Sequence, residues 1–311
     1  MNEVKKKILI GVPCKNEENN IFNFNKELRK YIQEINNYEF IILFLDDGST
    51  DNTWQELESI SSNYKGVKIA KFSKNFGKEQ ALKYLISYAS EYHFDYFIPM
   101  DADLQYPPNL IHKLINDIEL NKVDMVLATK VNEKKGFLRF IFTKIFYLSY
   151  NFFSSSQIIE NLSDYSIINK SVINILNNLN GHSFIYKASL QSINCKYNIL
   201  KFEVPVRNSG KSKFNFMNLI KYSLQIFINY NSSFVLKFVF YFTIVFYLLL
   251  LIFLVSSYFL PLLGLTNLIL VSIILIFLWL SIVMLMLTLY IYKVLLNFDS
   301  KSSYLIVKDP D

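Results

Sequence analysis

The stretch Tyr96-Phe97-Ile98-Pro99-Met100-Asp101-Ala102-Asp103-Leu104-Gln105 joins a short apolar run to two carboxylates and an amide. The run has the length of a buried strand. Two carboxylates two residues apart at its exit, with Gln105 two further on, can face one divalent ion. Such oxygen ligands suit Mg²⁺ or Mn²⁺, which keep open positions for substrate phosphates. An isolated Asp-x-Asp reads more readily as a surface loop, because Asp is a turn residue. Its surroundings decide between the two.

Upstream and downstream, apolar runs alternate with helical patterns. Residues 8–12, 40–45, 67–72, 94–100 and 123–128 read as strands; 17–36, 51–64, 77–91 and 107–121 read as helices. This rhythm predicts an α/β fold with a largely parallel sheet covered on both faces. Ligands in such sheets bind beyond the carboxyl ends of the strands. The polar clusters Pro13 to Glu18, Asp46 to Asp51, Ser73 to Lys78 and Asp101 to Gln105 all fall at those ends.

Each cluster has its own chemistry. At the exit of the second strand, one of Asp46 and Asp47 can accept from a base or ribose hydroxyl, and Gly48 permits a tight turn. Thr50 or Asp51 can cap the next helix. Asn75-Phe76-Gly77-Lys78 opens a helix, where free backbone N–H groups favour phosphate. Cys14 lacks a nearby histidine and reads as a small packing residue. Two cysteines give no disulfide framework and suit a reducing compartment.

The composition divides the chain. Residues 1–129 carry 15 basic and 19 acidic side chains, residues 130–237 carry 14 and 4, and Phe238 to Tyr292 carries none, nor any His. The uncharged stretch is long enough for two helices of the ~20 residues a bilayer core requires. Ser256-Ser257 and Pro261 to Asn267 break it, predicting a transmembrane hairpin of about 236–259 and 266–292 within 234–293. A buried helical core is the alternative reading. Lys237 precedes the first span, and Lys293, Lys301 and Lys308 follow the second. The positive-inside rule then puts both chain ends, including the tail 294–311, in the cytoplasm. The run after Lys5-Lys6-Lys7 is too short for a signal peptide. The expected location is the inner (cytoplasmic) membrane, multi-pass. The basic middle segment suits anionic lipid, and no nucleic-acid-binding motif accompanies it.

Taken together, the four clusters resemble the family 2 glycosyltransferases of the GT-A fold. The matching stretches are Val12-Pro13-Cys14-Lys15-Asn16-Glu17-Glu18, Asp46-Asp47-Gly48-Ser49-Thr50-Asp51, Ser73-Lys74-Asn75-Phe76-Gly77-Lys78 and Met100-Asp101-Ala102-Asp103-Leu104-Gln105. The resemblance implies a nucleotide-sugar donor. Pro13, Glu17 and Asp46 or Asp47 would hold its nucleoside. Asp101 and Asp103, with Gln105, would hold the metal that bridges its diphosphate. The expected catalytic domain is 1–213, a Rossmann-like, mostly parallel sheet flanked by helices.

Arg207-Asn208-Ser209-Gly210-Lys211-Ser212-Lys213-Phe214 precedes an amphipathic segment, 214–233, of the kind that lies in a membrane interface. Residues 137–153 form a second such candidate, with packing on the catalytic sheet as the alternative. The Arg-x-x-Gly-x-Ser-Lys-Phe pattern looks like the signature of polyprenyl-phosphate glycosyltransferases, the branch with dolichyl-phosphate mannose synthases and bactoprenol-phosphate glucosyltransferases. Asp164-Tyr165-Ser166-Ile167-Ile168 aligns with that branch's Asp-Phe-Arg-Leu stretch, with Ser166 replacing the usual Arg and Asn169 a common acidic residue.

The expected reaction is inverting transfer of a sugar, from a UDP-sugar such as UDP-glucose, to undecaprenyl phosphate. Asp101, Asp103 and Asp164 are the candidate catalytic carboxylates, Asp164 orienting the acceptor or the sugar. Asn75, Gly77 and Lys78 are candidates for the donor phosphates. Arg139, Arg207, Lys211, Ser212 and Lys213 are candidates for the acceptor phosphate. No histidine lies in any motif. The product would feed an envelope glycan such as lipopolysaccharide, through a flippase and a periplasmic glycosyltransferase, and exposed apolar helices permit a homo-oligomer. The rivals are transfer directly onto a lipid-linked saccharide and an inactive membrane scaffold.

Overall fold

The structure is a computed structural model, and it describes residues 5–131, 137–153, 158–179, 184–203, 226, 234–259, 265–298, 306–308 and 310. The chain divides into two units, one built around the sheet and one containing residues 141–158 and 214–299.

The first unit is an eight-stranded sheet in the order β7-β5-β6-β4-β1-β2-β3-β8. Its strands are β1 (Lys6–Cys14), β2 (Tyr38–Asp46), β3 (Val67–Phe72), β4 (Tyr96–Pro99), β5 (Met125–Val131), β6 (Leu162–Asn169), β7 (Tyr197–Glu203) and β8 (Ile306–Lys308). Strands β1 to β4 run parallel to one another, and β7 runs parallel to β5. Strand β6 is antiparallel to both neighbours, and β8 is antiparallel to β3. The expected α/β architecture is therefore present, with two reversed strands that the alternation of residues 1–129 does not announce.

Helices α1 (Ile21–Ile32), α2 (Thr53–Asn63), α3 (Lys78–Glu91) and α4 (Ile111–Asn121) follow the first four strands. A 3-10 turn at Pro108–Leu110 leads into α4. Two apolar clusters cover the two faces of the sheet. One contains Ile8, Ile10, Phe24, Phe44 and Ile98; the other contains Leu9, Leu43, Leu85 and Phe97. Residues of opposite parity on β1 enter opposite clusters, as the alternation of side chains along a strand requires. Gly11 permits the close approach of β4: a Cβ there would lie 2.6 Å from the Phe97 ring.

The order reverses between β1 and β4, with β2 and β3 on one side and β6 and β5 on the other. A crevice at the carboxyl end of such a switch point is the place where a ligand binds in this architecture. Helix α5 (Phe137–Phe153) follows β5, and α6 (Lys170–Asn177) and α7 (Tyr186–Ser192) lie between β6 and β7 in the chain. Asn169 caps α6, its side-chain oxygen accepting from Val172 N at 3.0 Å while its amide nitrogen donates to Asp124 Oδ1 at 3.1 Å. An acidic residue at 169 could accept but not donate, so the Asp124 partner suits Asn.

The second unit contains two long apolar helices, α8 (Phe234–Phe259) and α9 (Leu265–Phe298). They touch through Trp279, stacked on Phe246 at 5.7 Å between centroids. Among the described residues, Val271–Ile291 is long and apolar enough to cross a membrane, and Lys237–Phe253 is a shorter apolar segment. Helix α9 continues past the uncharged stretch to Phe298 and takes in Lys293.

Candidate active site

The ends of β1, β2 and β3 are knitted together by their own loops. Lys15 Nζ donates to the carbonyl oxygens of Asp47 and Gly48, both at 3.2 Å. Asn16 Oδ1 accepts from Thr50 N at 2.9 Å, and Glu17 N donates to Thr53 Oγ1 at 2.8 Å. The Glu17 carboxylate accepts from Asn20 Nδ2 at 2.6 Å.

The adjacent carboxylates Asp46 and Asp47 have separate jobs. Both oxygens of Asp47 turn to the loop after β3, accepting from Phe76 N at 2.7 Å and Gly77 N at 2.9 Å. Asp47 therefore clamps Asn75–Lys78 in place. Burial raises its carboxyl pKa, opposed by those two backbone donors. Asp46 is fully buried, and its Oδ1 accepts from Ser49 N at 2.9 Å. Its Oδ2 has no hydrogen-bond partner, with Lys71 Nζ at 3.8 Å. A buried carboxylate oxygen without a donor is costly, so of the pair it is Asp46 that keeps an unfilled acceptor. Lys71 in turn lies over the Trp54 ring, at 4.9 Å from its centroid.

Asp101, at the exit of β4, meets Asp164 of β6 through a shared cation. Lys78 Nζ lies 2.6 Å from Asp101 Oδ1 and 2.7 Å from Asp164 Oδ2. Lys187, in the first turn of α7, approaches Asp164 Oδ1 at 3.8 Å, and that oxygen is buried without a hydrogen-bond donor. Burial alone would raise the Asp164 carboxyl, but Lys187 and Lys78 outweigh it and hold the group well below the usual carboxylate range. Next to Lys78, burial and then the Asp164 charge push Glu79 up to about 7, while its Oε2 accepts from Tyr186 N at 2.7 Å.

Asp103 Oδ1 accepts from Gln105 N at 3.1 Å, which fixes the loop after Asp101. Between them Leu104 has φ 59, a left-handed conformation uncommon for a residue with a branched side chain. Tyr106 stacks on Tyr165 at 5.2 Å, and Tyr165 donates to Pro107 O at 3.1 Å. These contacts tie the Asp101–Gln105 loop to β6. The donor set is hard oxygen only, and among the described residues no group of three His, Cys, Asp or Glu forms a complete cation site. One or two carboxylates, completed by substrate phosphates, is the set that Mg²⁺ or Mn²⁺ takes in nucleotide sites. Asp101 and Asp103 fit that group.

Ser166 is fully buried, with its hydroxyl 2.8 Å from Tyr186 Oη and 3.1 Å from Asp164 O. The positive charge beside Asp164 comes instead from Lys78 and Lys187. Cys14 is buried, its thiol donating to Val12 O at 3.4 Å, and burial raises its pKa well above the ordinary value. The fold thus gathers Asp46, Asp47, Asn75, Gly77 and Lys78, and links Lys78 to Asp101 and Asp164. It adds Glu79, Lys187 and Tyr186, which no sequence spacing marks. The side chain of Arg139, and Arg207, Lys211, Ser212 and Lys213 with the segment 214–233, lie outside the described residues apart from Ile226.

Residues 9–187 match the family model described as Glycosyl transferase family 2, which spans more than half of the chain. The chain belongs to that family. The bactoprenol glucosyl transferase of Shigella phage SfV is 32% identical over 220 residues, covering 70% of each protein. The dolichol-phosphate mannosyltransferase of Pyrococcus furiosus is 34% identical over 124 residues, covering 40% of this chain and 33% of that protein. Among solved structures, glucosyl-3-phosphoglycerate synthase from Mycobacterium tuberculosis, in complex with Mn²⁺, UDP-glucose and phosphoglyceric acid, aligns with a TM-score of 0.50 at 16% identity. The alignment covers 74% of this chain and 79% of that one, and it shows a shared fold.

Proposed function

We propose that this glycosyltransferase moves a sugar from a nucleoside diphosphate to the phosphate of a membrane polyprenol. The observation that carries the reading is the joining of Asp101 and Asp164 through Lys78, beside the unsatisfied Asp46 oxygen at the same strand ends. One part suits a diphosphate and its counter-cation, the other a nucleoside. The bactoprenol and dolichol-phosphate names of the two relatives support the acceptor class, and the first of them supports glucose as the sugar.

An oxygen of the acceptor phosphate attacks the anomeric carbon, the bond from that carbon to the diphosphate breaks, and the nucleoside diphosphate leaves with its electrons. A single displacement inverts the carbon. The acceptor is anionic near neutral pH, with a second pKa of about 6, so it requires alignment and no general base. A divalent ion, Mg²⁺ or Mn²⁺, held by Asp101 and Asp103 with Gln105 would stabilise the charge that grows on the leaving diphosphate. Lys78 and Lys187 keep Asp164 ionised and oriented. Arg139, Arg207, Lys211, Ser212 and Lys213 are the acceptor-phosphate candidates.

The reaction belongs at the cytoplasmic face of the membrane. Strand β8 follows α9 in the chain, yet it pairs with β3 in the sheet that precedes α8. A chain whose sheet has strands from both sides of α8 and α9 crosses a bilayer an even number of times between them. Val271–Ile291 is apolar enough to be one crossing, and an even count then calls for the shorter apolar segment in α8 as the other. The lysines at both flanks support a cytoplasmic side for both flanks of the hairpin. The lipid-linked sugar would then be turned over by a flippase and consumed by a periplasmic glycosyltransferase.

The test is to incubate detergent-purified protein and Mn²⁺ with undecaprenyl phosphate and a panel of nucleotide sugars, then analyse the lipid by mass spectrometry. A glycosylated lipid formed from UDP-glucose is expected. No glycosylated lipid from any donor contradicts the reading.

A further inference from the structure

The cation facing the first candidate metal ligand is supplied by the chain. Lys78 Nζ sits 2.6 Å from Asp101 Oδ1, and its second partner, Asp164 Oδ2 at 2.7 Å, lies on another strand. The Lys78 backbone begins α3, directly after the loop that Asp47 clamps through Phe76 N and Gly77 N. The ammonium is thus anchored at its base and held at its tip. A carboxylate oxygen engaged at this distance does not offer the same lone pair to a hard cation. Lys187 reduces the local negative charge further, at 3.8 Å from Asp164.

We propose that Lys78 and the divalent ion exchange at Asp101, and that the donor diphosphate drives the exchange. This inference rests on the functional reading above. A bare ion meets an oxygen already occupied by a positive group, and like charges repel. A nucleoside diphosphate brings anionic oxygens that accept both the ion and the released ammonium. Lys78 does not have to travel, since Asp164 remains its partner and the α3 terminus fixes its backbone. Ion and nucleotide therefore bind with positive coupling, and the coupling is reciprocal. Lys78 acts as a positioning residue that keeps ion entry tied to donor entry.

The test is Mn²⁺ binding to the full chain in detergent, read by the electron paramagnetic resonance signal of free Mn²⁺, with and without UDP. In the wild type, Mn²⁺ binds weakly alone and UDP tightens it on the order of tenfold or more. Lys78→Met binds Mn²⁺ alone on the order of tenfold more tightly than the wild type, and UDP adds little. Lys78→Gln, with a similar reach and no charge, gives the same result and guards against a folding defect in the Met variant. Lys78→Arg keeps the wild-type behaviour. Unchanged or weaker Mn²⁺ binding in folded Lys78→Met and Lys78→Gln, with UDP still tightening it, overturns the exchange and leaves the functional reading standing. No Mn²⁺ binding in any sample, with or without UDP, overturns both.

Discussion

Gly48 lies directly against the backbone of Lys74: a Cβ at position 48 would sit 2.5 Å from the Lys74 carbonyl carbon. Its φ of +64 is also in the left-handed region. The turn after β2 and the loop after β3 are therefore in contact through a position that only glycine fills. Gly48→Ala should cost about 1–2 kcal/mol for the backbone conformation alone. The clash with Lys74 adds to that and displaces Asn75–Lys78. Thermal unfolding and donor titration should both worsen; a variant with normal stability and normal donor affinity would refute this packing.

The neighbouring carboxylates separate by substitution. Asp47→Asn keeps one acceptor oxygen where two backbone N–H groups now donate, so one is left unpaired. A charge-assisted hydrogen bond of this kind is worth ~1.5–3 kcal/mol. Its loss should appear as lower stability. Asp46→Asn retains an oxygen for Ser49 N and should unfold near the wild-type temperature. Its donor affinity should fall by about tenfold or more, the equivalent of one hydrogen bond to a charged group. The reverse pattern would exchange the two roles.

Glu79 gives a pH signature. Its folded carboxyl stands at about 7 against an ordinary value of 4.5. The folded state therefore holds the proton more firmly than the unfolded state does. The contribution to stability is complete below about 4.5 and is lost as the pH rises through about 7. Glu79→Gln removes the titration and can still accept from Tyr186 N. The unfolding temperature of the variant should gain on the wild type across that window and run parallel to it above. A constant difference at all pH values would show that Glu79 ionises normally.

The β8 pairing gives a topological prediction. In a Cys195→Ser background, which removes the partly exposed native thiol, single cysteines replace Lys5 or Lys308. Both should react with a membrane-impermeant maleimide only from the cytoplasmic side. Labelling of Lys308→Cys from the outside would leave α8 uncrossed and break the pairing of β8 with β3.

The four parallel strands and their polar ends are legible in the sequence because each buried strand is an apolar run ended by a turn cluster. Strand β6 is not. Its Ser163, Asp164 and Ser166 are buried, and their polarity hides a strand whose hydrogen bonds are met by Ala128 O, Lys78 and Tyr186. Strand β8 has three residues and no periodicity to read. The doubled carboxylate of Asp46-Asp47 is visible as a pattern, but the division of labour within it depends on a loop 29 residues away. The same holds for Lys78. Its position at a helix start suggests phosphate, while its two carboxylate partners come from positions 101 and 164 and meet it only in the folded sheet.

The most direct test of the account is acceptor choice. Purified protein with Mn²⁺ and radiolabelled UDP-glucose is offered undecaprenyl phosphate, undecaprenol and a lipid-linked saccharide in parallel. The account predicts label on undecaprenyl phosphate alone, abolished by EDTA and by Asp103→Ala. Label on the saccharide, or bound donor with label on no lipid, would contradict it.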